Sequence, residues 1–258
     1  MNQVLNKINE VVLTYDPITL VEMDSVMLMN RFDYKYAFNI KRLPSIFKLV
    51  SNQYKVLEID GIRGFNYKSI YFDTEDLSMY HDHQKGKPIR YKIRRREYVD
   101  SGLNFMEIKQ KDGQGKTLKE RIVKNKKEHH FTEQTSRFIH GRCPYVTHQL
   151  NAQLINCFIR YTLVHKTEPE RLTIDIGLKF SYDNKECEIP YLVIAEVKRE
   201  GETYKSTFMK LMREMSIRQS GMSKYCIGTV FLNPDIKNNN FKINILKLKK
   251  IENDTFRD

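Results

Sequence analysis

Polar and apolar positions alternate along much of this chain, most regularly from Arg90 to Lys111. Arg90, Lys92, Arg94 and Arg96 fall at every second position; after a turn at Asp100-Ser101-Gly102, Glu107, Lys109 and Lys111 do the same. Successive side chains of a strand point to opposite faces, so each set shares one face, with Tyr91, Ile93, Met106, Ile108 and Gln110 behind it. The pattern predicts two strands joined by a tight turn, with one face made of cations and a carboxylate among them.

The alternation recurs. Arg31, Asp33 and Lys35 share a face, and Lys119 and Arg121 share another after a glycine-rich turn at 112–115. Arg171, Thr173 and Asp175 repeat it, as do Glu196 and Lys198. Tyr67–Thr74 reads as a further strand, and the stretch from Leu150 to Val164 carries Arg160. Other stretches have helical spacing. One or two short helices are expected within 1–29, interrupted at Pro17, and amphipathic helices over Ile40–Asn52 and Tyr204–Ile217. Phe131–His140 reads as a helix capped by Thr132. The segments at 81–87 and 220–228 read as loops, 124–130 as an exposed basic connection, and the tail after Asn233 as peripheral. The organisation expected is a helical segment at 1–30, one body over 31–232 and a basic tail at 233–258.

Charge sharpens the picture. Lys and Arg number 44 against 32 Asp and Glu, a formal +12 that implies an anionic partner. Nucleic acid is disfavoured, because Glu107 and Glu196 sit inside the basic sets. No apolar run approaches the roughly 20 residues that span a bilayer, and no signal-peptide core follows Met1. A cytoplasmic location without a membrane segment of its own is expected. The four cysteines form no CxxC pair and read as reduced thiols. His81 and His83 lack a third metal ligand nearby, and no GxxxxGK[ST] phosphate loop occurs.

Like charges on one face repel by roughly 1 kcal/mol per pair at 4 Å in water, and about 4 at an effective dielectric of 20. Two arrangements accommodate them. An open sheet would leave the charged face wet; a barrel could turn it into a lumen, with amphipathic helices covering the apolar outside. Periodicity alone leaves both open. If the cluster is repulsive, Arg94→Ala or Arg171→Ala should leave stability unchanged or raised.

The ordered series RxDxKY (Arg31–Tyr36), YxSxYFDT (Tyr67–Thr74), RxKxRxR (Arg90–Arg96), ExKxK (Glu107–Lys111), KxR (Lys119–Arg121), RxTxD (Arg171–Asp175), ExK (Glu196–Lys198) and SKYxxG (Ser223–Gly228) resembles the VTC domain. This is the polyphosphate polymerase domain of the triphosphate tunnel metalloenzyme superfamily. The resemblance implies an α+β fold, an antiparallel β-barrel forming a tunnel with peripheral amphipathic helices. It also implies ATP, polyphosphate or triphosphate as ligands and Mn²⁺ or Mg²⁺ as cofactor. Carried onto matching positions, Arg94, Arg96, Lys109 and Arg171 become catalytic candidates. Lys35, Arg90, Lys119, Arg121, Arg160, Lys198 and Lys224 become phosphate contacts, Glu196 a metal ligand and Glu107 a second one. Asp175 reads as an orienter of arginines. Asp33 stands where relatives usually have Glu.

Such residues suit phosphoryl transfer, which needs positioning and charge neutralisation more than covalent help. Guanidinium forks match phosphate oxygens, and a hard divalent ion takes one or two carboxylates plus substrate phosphates. The expected activity is transfer of the ATP γ-phosphoryl group to a phosphate chain. The alternatives are a tripolyphosphate or nucleoside-triphosphate hydrolase on the same site, or a non-catalytic polyphosphate-binding module. A separate membrane partner could supply any coupling to transport.

Overall fold

The computed structural model describes residues 2–25, 32–114, 116–124, 131–200 and 206–254. Arg31, most of the basic connection at 124–130 and the start of the helix expected from Tyr204 lie outside these. The alternating segments form strands: β1 (Pro17–Ile18), β2 (Phe32–Asn39), β3 (Tyr54–Leu57), β4 (Gly64–Asp73), β5 (Ile89–Tyr98), β6 (Leu103–Asp112), β7 (Thr117–Val123), β8 (Asn151–His165), β9 (Glu170–Tyr182), β10 (Lys185–Ile189) and β11 (Leu192–Arg199). They join one sheet with the order β2-β11-β9-β8-β4-β5-β6-β7, antiparallel along that path. β10 pairs with β9, and β3 joins β8 to the short parallel β1.

The sheet curls. From β6 to β11 is five strand steps, about 24 Å if flat. Yet Lys109 on β6 feels the charges of Glu196 and Lys198 on β11, and Lys92 on β5 feels Lys35 on β2. Only a sheet rolled toward a barrel brings those side chains near one another across a shared interior. The charged face is therefore the concave one.

Helices cover the convex face, as an apolar exterior requires. Val193, Ala195 and Val197 of β11 and Leu172, Ile174 and Ile176 of β9 pack under α1 (Asn2–Leu13), α3 (Leu43–Val50) and α6 (Thr207–Glu214) through Ile8, Ile46 and Phe208. Ile93, Met106 and Ile108 pack under α4 (Ser78–Gln84) and α5 (Glu133–His140). Thr132 caps α5 as its sequence predicts. α2 spans Leu20–Ser25. No helix among the described residues is long and apolar enough to cross a membrane.

Three local expectations are corrected. His81 and His83 lie on α4, where the His83 imidazole Nε2 sits 3.2 Å from the Tyr91 carbonyl oxygen. The segment expected as a loop at 220–228 contains most of α7 (Lys224–Leu232), whose residues are buried almost all round. The tail is not peripheral: α8 (Lys242–Glu252) buries Leu248 and Ile251, and the Asn39 amide donates to the Ile251 carbonyl at 2.7 Å. The cysteines are free thiols.

α7 plugs part of the interior. Tyr225, Cys226 and Ile227 share a core with Leu154, Phe158, Leu178, Phe180, Leu192 and Ile194, so the concave face is apolar at one end and charged at the other. On β9 the change is made by a bulge between the pairs Cys157↔Lys179 and Ile159↔Ile176. Gly177 takes φ +63 there, a left-handed conformation that glycine adopts without strain. The extra residue shifts the parity, so Asp175 and then Leu178 and Phe180 share the concave face.

Candidate functional site

The charged section of the lumen is built from short networks. Glu107 on β6 is fully buried; its carboxylate accepts from Arg94 Nε at 2.7 Å, forms an ion pair with Nη2 at 2.6 Å, and pairs with Lys119 of β7. Burial alone would raise its pKa, but Arg94, Arg96 and Lys119 together hold it well below the usual carboxylate range. Burial lowers the Lys119 ammonium to about 8, against the opposing pull of Glu107.

Across the lumen, Asp175 on β9 accepts both arms of Arg160, at 2.5 and 2.7 Å, and also Lys224 at the start of α7. Its pKa falls to about 2: burial would raise it, and Arg160 and Lys224 outweigh that. Asp175 is thus the orienter of Arg160 and Lys224. Glu196 on β11 sits between Lys35 at 3.1 Å and Lys198 at 3.2 Å, with Lys198 also 2.9 Å from Asp33. The surrounding cations, Lys35 foremost, overcome burial and hold Glu196 well below its ordinary pKa.

The other predicted positions are held differently. Arg171 donates to the Met23 carbonyl at 3.2 Å, Arg90 to the Lys87 carbonyl at 2.6 Å, and Arg121 lies over the Phe105 ring at 4.5 Å. Arg96, Lys92 and Lys109 have no carboxylate within ion-pair distance among the described residues. Burial, followed by repulsion from Arg94, drives the Lys109 pKa well below its ordinary value. Burial likewise lowers Lys92.

The stability expectation for Arg94 is revised. Arg94 is not a repelled surplus charge; removing it would leave Glu107 buried with Lys119 as its one ion-pair partner among the described residues.

Sequence reasoning gave Lys92 no role, although its spacing matches its neighbours. It also missed the aromatic tier on the concave face of β4 and β8. Tyr71 receives Arg94 Nη1 at 3.3 Å and stacks on Tyr225 with centroids 5.2 Å apart. Burial would raise its phenol, but Arg94, Arg96 and Lys224 bring it below its ordinary pKa. Tyr67 and Phe158 stack at 5.3 Å. The signal was present in YKSIYFDT, whose odd positions share the parity of Ser69 and Asp73.

The SKYxxG segment acts residue by residue. Ser223 caps α7 by accepting from the Cys226 amide, and Lys224 reaches Asp175. The Tyr225 hydroxyl donates to Asp73, which also accepts the Met79 and Tyr80 amides at 2.9 Å. At Gly228 a Cβ would meet the Phe180 ring and lie 2.9 Å from Leu154 Cδ2.

Two lumen glutamates, Glu196 and Glu107, could contribute to a divalent-ion site. Among the described residues no group of three His, Cys, Asp or Glu side chains converges. Mg²⁺ and Mn²⁺ need fewer when substrate phosphates complete the shell. Glu196 fits such a site: Thr173, directly opposite it across β9 and β11, has a buried hydroxyl oxygen with no hydrogen-bond partner. Glu107 fits less well, because it is fully buried and Arg94 and Lys119 grip its carboxylate more closely than Lys35 and Lys198 hold that of Glu196.

A curled antiparallel sheet with a cationic, carboxylate-bearing lumen defines an anion-binding tunnel protein. The chain belongs to the VTC domain family, whose model matches residues 30–233. Among solved structures it is similar to a proposed adenylate cyclase from Vibrio parahaemolyticus, at 12% identity and a TM-score of 0.47, covering 76% of this chain and 97% of that one. It is also similar to a proposed adenylyl cyclase from Hippeastrum described as having a dominant triphosphatase activity, at 14% identity and a TM-score of 0.44, covering 80% and 96%. No curated protein matches.

Proposed function

We propose that the lumen holds a chain of phosphates and that the protein is a metal-dependent polyphosphate polymerase. The observation that carries this reading is the surplus of inward-facing cations. Arg96, Lys92 and Lys109 are partly or wholly buried without a counter-ion among the described residues, which a bound polyanion would correct. Membership of the VTC domain family supports the same chemistry.

In the reaction, a terminal oxygen of the acceptor phosphate attacks the ATP γ-phosphorus. A new P–O bond forms, the bond to the β–γ bridging oxygen breaks, and ADP leaves with the electron pair. Arg94, Arg96 and Lys109 neutralise charge on the transferred group. Arg160 and Lys224, aligned by Asp175, and Lys35 and Lys198 hold the flanking phosphates. Arg171, Arg90, Arg121 and Lys119 extend the path for the chain. Glu196, with the Thr173 hydroxyl, would hold Mn²⁺ or Mg²⁺, which supplies Lewis-acid neutralisation of phosphoryl oxygens. A cytoplasmic setting would provide ATP.

The test is incubation of pure protein with ATP and Mn²⁺, resolved on a gel. A ladder of long polyphosphate supports the reading. Loss of added polyphosphate instead assigns hydrolysis, and tight binding that survives chelation without turnover assigns a binding module.

A further inference from the structure

We propose that Tyr67 is a positioning residue that holds Arg96 through its π-face, in place of a carboxylate. This rests on the reading of the lumen as a phosphate site. Arg96 is only 7% exposed. Its polar contact within the structure is a long one, Nε to the Ser69 hydroxyl at 3.5 Å. Burial, then the charge of Arg94, lowers its pKa. What lies against it is a ring: the guanidinium carbon stands 5.5 Å from the centroid of Tyr67.

The contrast with its neighbours gives the arrangement its meaning. Arg94 and Arg160 also face rings, Tyr71 at 5.9 Å and Tyr67 itself at 5.1 Å, but each is held in addition by a buried carboxylate, Glu107 and Asp175. A carboxylate beside Arg96 would orient it equally well but would cancel the charge a phosphate needs. An aromatic quadrupole attracts a cation without neutralising it and leaves the N–H donors free. Tyr67 is itself fixed. It is nearly buried, stacks on Phe158 with an interplanar angle of 11°, and meets the Tyr98 ring at 4.8 Å. Among the described residues Arg96 is therefore aimed, desolvated and without an ion-pair partner, the condition in which a phosphate oxygen gains most from a guanidinium.

The test replaces Tyr67 with phenylalanine and then with mono-, di- and trifluorinated phenylalanines. This series keeps the ring's shape while draining its π-face. Binding of inorganic tripolyphosphate is measured by calorimetry in the full chain. Tyr67→Phe should bind like wild type, and affinity should then fall stepwise, about tenfold by the trifluoro ring. In an Arg96→Ala background, where only Arg160, already held by Asp175, still faces the ring, the decline should be much shallower. A flat series in the presence of Arg96, with wild-type binding intact, overturns the inference. So does an equal decline with and without Arg96, which would mark a purely structural ring. No tripolyphosphate binding by the wild type would overturn the phosphate-site reading and this inference with it.

Discussion

Asp175 and Lys224 bridge the sheet to the helix that plugs it: the carboxylate that grips both arms of Arg160 also takes the first residue of α7. Breaking a buried pair by removing one partner typically costs about 3–5 kcal/mol. Asp175→Asn should lower stability by that order, read as a shift in urea midpoint, and should weaken tripolyphosphate binding by misplacing both cations.

The same residue predicts an acid limb. Its folded pKa of about 2 lies below the ordinary carboxylate value, so the folded state binds the proton less readily than the unfolded chain. Its contribution is therefore fully present above the unfolded value of about 3.9 and is lost as pH falls toward about 2, on the order of 2 kcal/mol. Urea midpoints from pH 6 to pH 2 should fall steeply at the acid end. Because Glu107 and Glu196 are also depressed, the Asp175→Asn profile should be shallower without becoming flat.

Arg94 and Lys109 should respond in opposite directions. Arg94→Ala strips Glu107 of its hydrogen-bonded arginine and should lower stability by about 3–5 kcal/mol. Lys109→Met removes an unpaired, desolvated ammonium and should raise stability by on the order of 1 kcal/mol while weakening tripolyphosphate binding. A thermal melt and a binding isotherm on each variant check both outcomes.

Glu196→Gln separates binding from metal use. It should keep tripolyphosphate affinity in the presence of a chelator, or improve it, because a negative charge leaves the lumen. Mn²⁺ affinity should fall at least tenfold, read by electron paramagnetic resonance of free Mn²⁺. Equal Mn²⁺ binding by the variant would place the ion elsewhere.

Gly228→Ala should destabilise by about 1–3 kcal/mol, since the added methyl meets Phe180 and Leu154. Displacement of α7 should also weaken the Lys224 pair, lowering tripolyphosphate affinity more than an overpacked site remote from the lumen would.

Much of this arrangement was legible in the alternation. Arg94 opposite Glu107, and Glu196 beside Lys35, follow from strand parity once the pairing is known. That the charged face is concave was not legible, because parity separates two faces without saying which is inside. α7 was missed because KYCIGTVFL is apolar on nearly all sides and carries no helical period. α4 was missed because Leu77, its N-cap, has φ +57 and offers no side-chain cap, while the cue lay in Asp73 and Thr74, which bind its first amides. The bulge at Gly177 had no marker beyond the glycine itself.

That bulge works like a frameshift within β9. Upstream of it the inward residues are hydrophilic, downstream they are oily, and one surplus amino acid makes the switch. Drawing Gly177 into the regular ladder would throw Leu178 and Phe180 to the outside and present Lys179 to the seat of α7, whereas deleting Gly177 together with the bulge would leave all three facing as they do. The conformation of one glycine, as much as the composition of the ribbon, decides where the channel stops and its cork begins.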